Sequence, residues 1–157
     1  LEAPPGRSIQ YEFVAHRLVQ ICTEYNVLGL AFDRWRMEYL IPQLSNVGLD
    51  PSKDEGYGSL RMVSWGQGFR DMSPAIDRME SSIFDRTFFH DGNPVLTYCF
   101  ANAQAITDPA GNRKLDKGKA NARIDGAQAC AMAIGLKARD QIDHMDINSF
   151  LEQPLTL

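Results

Sequence analysis

Apolar residues recur along this chain in two rhythms, and the alternation between them outlines the fold. From about Ser8 to Tyr25, Ile9, Phe13, Leu18, Ile21, Cys22 and Tyr25 return at helical spacing with charges between them, which predicts an amphipathic helix. The run Val27-Leu28-Gly29-Leu30-Ala31-Phe32 is compact and apolar, as expected of a strand covered on both faces, and it stops at Asp33. Met37, Leu40, Ile41, Leu44 and Val47 then form one helical stripe that ends at Gly48, with Pro42 expected to kink or divide the helix. Asp50 to Ser59 lacks periodicity and reads as a surface loop. Leu60 to Trp65 is a second strand candidate. Ser73-Pro74 next supplies an N-cap and first-turn proline for a helix carrying Ile76, Met79, Ile83 and Phe84, closed by His90-Asp91-Gly92.

Asn93-Pro94 can start another short helix in the same way, with Leu96, Cys99 and Phe100 facing inward. Around the turn signal Asp108-Pro109-Ala110-Gly111-Asn112 the chain suggests a hairpin or a protruding ordered loop. A last long helix runs from about Asn121 to Lys137, with Ile124, Ala127, Ala131 and Ile134 on an inner face whose small residues would let it lie close against a sheet. Trp35, Trp65 and the phenylalanines are assigned to the core. Helices alternating with strands make this an α/β chain with at least a partly parallel sheet. We divide it into one domain over 1–138 and a weakly ordered tail over 139–157.

Composition narrows the class. At 157 residues and 44% hydrophobic the chain can bury one ordinary core. No apolar run approaches the roughly 20 residues of a membrane span, and the opening Leu1-Glu2-Ala3-Pro4-Pro5-Gly6 has neither region of a signal peptide. Cys22, Cys99 and Cys130 are odd in number and set among apolar residues, which fits reduced core thiols and a cytoplasmic location. There is no P-loop fingerprint, and His16, His90 and His144 each stand alone, as surface or packing residues.

A formal net charge of −4 leaves no global basic footprint for nucleic acid. Locally, Arg113, Lys114, Lys117, Lys119 and Arg123 cluster against a single acid, Asp116. That segment is either a solvated charged loop or a DNA-binding edge that would grip phosphates without reading sequence. Asp33 stands where a strand gives way to a helix, the edge at which ligands and catalytic groups collect in α/β sheets; it either caps the following helix or does chemistry. Asp125 lies in the first turn of the last helix, on or near the packed face, and is either a partner of the helix dipole or of Arg123, or a ligand. Two such carboxylates on neighbouring elements could hold a divalent cation through oxygen, and a pair of ions would serve phosphodiester hydrolysis without a Ser or Cys nucleophile.

Several segments, taken in order, carry a resemblance. Leu30-Ala31-Phe32-Asp33-Arg34-Trp35, Gln67-Gly68 with Ser73-Pro74-Ala75, His90 to Ala103, Asp108 to Lys117, and Arg123-Ile124-Asp125-Gly126-Ala127 resemble the nuclease domain of large terminase subunits of tailed phages and prophages, over roughly residues 9 to 138. The resemblance implies an RNase H-like fold, a mixed sheet flanked by helices, and a metal-dependent endonuclease that cuts concatemeric viral DNA during genome packaging in the cytoplasm of the bacterial host cell. It implies three acidic residues and two Mg²⁺ or Mn²⁺ ions, with Asp33 at the second acidic position and Asp125 at the third, both catalytic and metal-binding. The opening strands and the first acid of the family have no counterpart here, so the domain is read as amino-terminally incomplete, with an exposed sheet edge open to another copy. Partners implied are double-stranded DNA, the small terminase subunit and the portal, with no membrane. The competing readings are a non-catalytic DNA-binding or assembly module on the same scaffold, and another RNase H-like nuclease of resolvase or transposase type.

Overall fold

The computed structural model describes residues 9–35, 37–51, 58–116, 118 and 123–143. They form helices α1 (Tyr11–Glu24), α2 (Met37–Asn46), α3 (Phe69–Phe84), α4 (Pro94–Asn102) and α5 (Asp125–Asp143), with strands β1 (Leu30–Phe32), β2 (Met62–Ser64), β3 (Ala105–Thr107) and β4 (Arg113–Leu115). The chain divides into two compact units, Leu1–Gly66 and Gln67–Leu157.

In the first unit β1 and β2 run parallel, with Leu30 opposite Met62 and Phe32 opposite Ser64. The core is built from Ala15, Leu40, Leu44, Leu49 and Leu60, with Tyr11, Val14, Leu18, Val19 and Cys22 packed against it. The packed stripe of α1 is therefore 11, 14, 15, 18, 19 and 22; Ile9 and Tyr25, expected on it, are exposed. Helix α2 continues through Pro42 undivided. The proline removes one i→i−4 donor, and burial of Leu40 and Leu44 on either side holds the turn. Gly48, at φ +84°, ends it in a Schellman motif. Leu49 N donates to Leu44 O and Gly48 N to Ser45 O, and the two leucines meet in the core.

The expectation of a first strand covered on both faces is corrected. β1 pairs with β2 in a sheet of two strands, all three of its residues are only half-buried, and Leu28 is exposed. Among the described residues there is no single mixed sheet but two pairs, one parallel and one antiparallel.

In the second unit α3 packs chiefly on α5, while α4 also lies against α5 and β4 against α3. Met72, Ala75, Ile76 and Met79 of α3 are buried, as are Ala127, Ala131, Met132 and Leu136 of α5. The small residues of α5 thus admit a helix, where a sheet was expected. Three boundaries also move. Helix α3 begins at Phe69, so Ser73 and Pro74 lie inside it, and buried Ser73 uses its Oγ to accept from Arg113 N of β4 at 3.1 Å instead of capping. It ends at Phe84, well before His90, where Arg86 adopts φ 55° and Thr87 N reaches back to Ser82 O. Helix α5 extends to Asp143, so 139–143 belong to a helix and not to a tail. Helix α4 starts as the spacing predicts: Asn93 accepts from Val95 N and Leu96 N, with Pro94 at the first helical position.

The β3–β4 hairpin is antiparallel, with Ala105 opposite Leu115. Asp108 organises its turn, accepting from Ala110 N, Asn112 N and Asn112 Nδ2 at 2.8–2.9 Å. The Asn112 amide, foremost among these donors, holds the Asp108 carboxyl below its ordinary range.

Candidate metal and DNA site

Asp33 follows the last residue of β1, at the carboxyl end of the parallel pair, where the chain turns toward α2. Its side chain is exposed, and its Oδ1 accepts from Trp35 N at 3.2 Å. That is an Asx turn two residues long, set ahead of α2, which begins only at Met37. The position is the one at which an α/β strand pair presents a carboxylate to a ligand.

Asp125 is the first residue of α5. Its expected place on the packed face is corrected: it is exposed, because Ile124, Ala127 and Gln128 take that face. With Ala129, Ala133 and Lys137 it follows an outward stripe at four-residue intervals. Asp33 belongs to the first compact unit and Asp125 to the second. Among the described residues no group of three or more His, Cys, Asp or Glu side chains is placed to hold a metal ion. The two acids are oxygen donors of the kind that hard divalent cations take.

The basic segment is not uniform. Lys117 and Lys119 lie outside the described residues, and so does His144. Arg113 of β4 clamps two acids of α3: its guanidinium donates to Asp77 Oδ1 and, at 2.8 Å, to Glu80 Oε2. The contact holds the Glu80 carboxyl below its ordinary range, and both acids raise the Arg113 value further above the usual one. This side chain fastens the hairpin to α3. Lys114 sets its ammonium 4.9 Å from the Phe69 ring centroid, a cation–π contact that still leaves the residue half-buried. Arg123 is exposed, two residues before Asp125.

Three features lay beyond sequence reasoning. Asp77 and Glu80 sit three apart on one helix face, a spacing that marks a two-acid surface without saying which arginine returns to it. Gln128, 8% exposed, donates from Nε2 to Gln67 Oε1 and lies beside Met72 Sδ, while its own Oε1 is buried with no hydrogen-bond partner among the described residues. Gln67 donates in turn to Met132 Sδ, so Gln67 and Gly68, noted above for their order along the chain, border the α3–α5 core. Finally, Trp35, assigned to the core, is 77% exposed, and Phe84 and Phe89 are exposed as well, whereas Trp65 is buried. The cysteines are free thiols; burial raises the values of Cys22 and Cys130, which fits inert packing. Among the described residues no helix is long and apolar enough to cross a membrane.

Residues 1–141 match the family described as the endonuclease domain of terminase large subunits. The chain is 38% identical, over its whole length, to the large terminase subunit of Enterobacteria phage HK97, and it spans 30% of that protein. Over 60% of its length it is 34% identical to protein YmfN of Escherichia coli (strain K12), covering 23% of that protein. The crystal structure of the HK97 bacteriophage large terminase superposes on 85% of the chain with a TM-score of 0.74 at 41% identity, using 26% of the larger chain.

Proposed function

The chain belongs to the family of terminase large subunit endonuclease domains, and from that premise we propose that it is a DNA-cutting domain of RNase H-like fold, which hydrolyses phosphodiester bonds of concatemeric viral DNA during genome packaging. The observation that carries the reading is Asp33, an exposed carboxylate at the carboxyl end of a parallel strand pair, within a family match that runs through Asp125. Asp33 and Asp125 would hold Mg²⁺ or Mn²⁺ through their carboxylate oxygens. Such ions, when bound, activate water and neutralise charge developing on the phosphate. The Asx turn orients Asp33 by engaging one oxygen, and Asp125 is presented by the first turn of α5. Arg123, Lys114, Lys117 and Lys119 would bind the DNA backbone without reading bases, with Arg113 holding the hairpin in place beside them. Double-stranded DNA, the small subunit and the portal are the partners this reading carries.

Calorimetric titration of Mn²⁺ into the chain, and into Asp33→Asn and Asp125→Asn, tests the ligand assignment; each substitution should remove binding. In a full-length large subunit carrying this domain, both should abolish plasmid cleavage while ATP hydrolysis continues. Cleavage that survives either change would overturn the assignment. DNA retention indifferent to Mg²⁺ and to both aspartates would instead identify an assembly module.

A further inference from the structure

The first turn of α5, which carries Asp125, is seated on its two neighbouring helices by contacts of different kinds. Against α4 the seat is steric: a Cβ on Gly126 would lie 3.0 Å from Leu96 Cδ1 and 3.2 Å from Cys99 Sγ, an approach that calls for glycine. Against α3 it is a hydrogen bond. Gln128, three residues after Asp125 and 8% exposed, donates from Nε2 to Oε1 of Gln67, the residue just before the N-cap of α3. Gln67 extends the contact to the next turn of α5 by donating to Met132 Sδ at 3.4 Å, and Gln128 Nε2 also lies 3.5 Å from Met72 Sδ. The bridge carries a penalty. Among the described residues Gln128 Oε1 is buried without a donor, and a buried acceptor left unpaired is destabilising. A methionine in its place would fill similar space without that penalty.

We infer that Gln128, through its hydrogen bond to Gln67, is a positioning residue for Asp125. Apolar burial is non-directional, and Ala75 of α3 with Ala127 and Ala131 of α5 gives the packed faces shallow side chains with little relief to lock their register. A hydrogen bond is directional, so the amide pair fixes where the start of α5 lies along α3. A carboxylate that binds a metal has to be held to within about 0.5 Å, and Asp125 takes its place from this same turn. The role rests on the assignment of Asp125 as a ligand. An amide that served stability alone would be better replaced by an apolar side chain.

Replacing both amides, Gln67→Met with Gln128→Met, separates position from stability. The double variant should match or exceed the parent chain in urea unfolding followed by circular dichroism, because the orphaned acceptor goes with the amides. It should nevertheless bind Mn²⁺ roughly tenfold more weakly by calorimetry. In the metal-free chain, amide hydrogen exchange at residues 128–131 should quicken several-fold while exchange around Leu136 holds. Gln128→Met alone, which leaves the half-buried Gln67 able to reach water, gives the same comparison if the double variant unfolds. Leu136→Met, at a buried position about three turns along α5, should leave Mn²⁺ affinity unchanged. Parent-like Mn²⁺ affinity in the amide variants, unchanged exchange in the first turn, a loss of affinity matched by a loss of stability, or an equal loss in Leu136→Met overturns the inference. Asp125→Asn distinguishes the two assignments. If it abolishes Mn²⁺ binding while the amide variants bind as the parent does, only the positioning role fails. A parent chain that takes up no Mn²⁺, or an Asp125→Asn chain that binds it unchanged, removes the ligand assignment and this role together.

Discussion

Gly58→Ala should be among the most damaging single substitutions in the first unit, and the reason can be separated into two parts. Gly58 sits at φ +78°, and a Cβ there would lie 2.5 Å from the Gly48 carbonyl oxygen, part of the backbone. The left-handed conformation costs an alanine about 1–2 kcal/mol, and relieving a backbone clash of this depth costs about 1–3 kcal/mol more. The sum, about 2–5 kcal/mol, is a large share of the roughly 5–15 kcal/mol that holds a domain folded. Gly48 provides the control, since it has φ +84° but nothing within 4 Å of its would-be Cβ, so Gly48→Ala should cost only the first part, about 1–2 kcal/mol. The movement would be felt locally, because Asp50 N bonds to Gly58 O and Leu60 N to Asp50 O, tying the end of α2 to the approach to β2. Both tryptophans, Trp35 and Trp65, belong to the first unit, so urea unfolding followed by their fluorescence reports it directly. Equal destabilisation by the two substitutions would refute the clash argument, and a neutral Gly58→Ala would refute both parts.

Three further outcomes are expected. Arg86→Gly should stabilise the chain by about 1 kcal/mol in thermal or urea melts, because Arg86 occupies the left-handed position of a helix-ending motif at φ 55°; a loss of stability would mean that its side chain makes a contact worth more than the strain. Asn93→Ala should cost about 1 kcal/mol by removing the acceptor for Val95 N and Leu96 N, and Asn93→Asp, which restores an acceptor, should recover most of it in the same melt. The lowered Glu80 and Asp108 values mean that their contribution is fully present above the ordinary carboxylate range, about pH 4, and is lost as pH falls through the lowered folded values. Arg113→Gln removes the leading cause at Glu80 and leaves Asn112 beside Asp108, so carboxyl NMR titration should show Glu80 moving up and Asp108 unmoved; a shift of both, or of neither, contradicts the clamp.

Periodicity and turn chemistry made the local elements legible because those signals are local. Asn93-Pro94 places its own helix start, Gly48 its own helix end, and Asp108 to Asn112 a hairpin, since the groups that satisfy each backbone donor lie within a few residues. The positions of Asp33 after a strand and Asp125 in a first helical turn were legible for the same reason. Errors arose where a distant partner overrides a local preference. Ser73 has the chemistry of a helix cap, yet Arg113 N, forty positions away, takes its hydroxyl and the helix starts earlier. The small residues of α5 announce a close neighbour without stating that it is α3. Trp35 and Trp65 are alike as residue types, and only their places in the fold leave one in solvent and bury the other. What the order of residues determined by itself was which segments are helix, strand or turn and which family they belong to. Which side chains meet, and so whether an arginine binds DNA or fastens a hairpin, was decided by tertiary packing, because hydrogen bonds and burial act across space while a pattern records only distance along the chain.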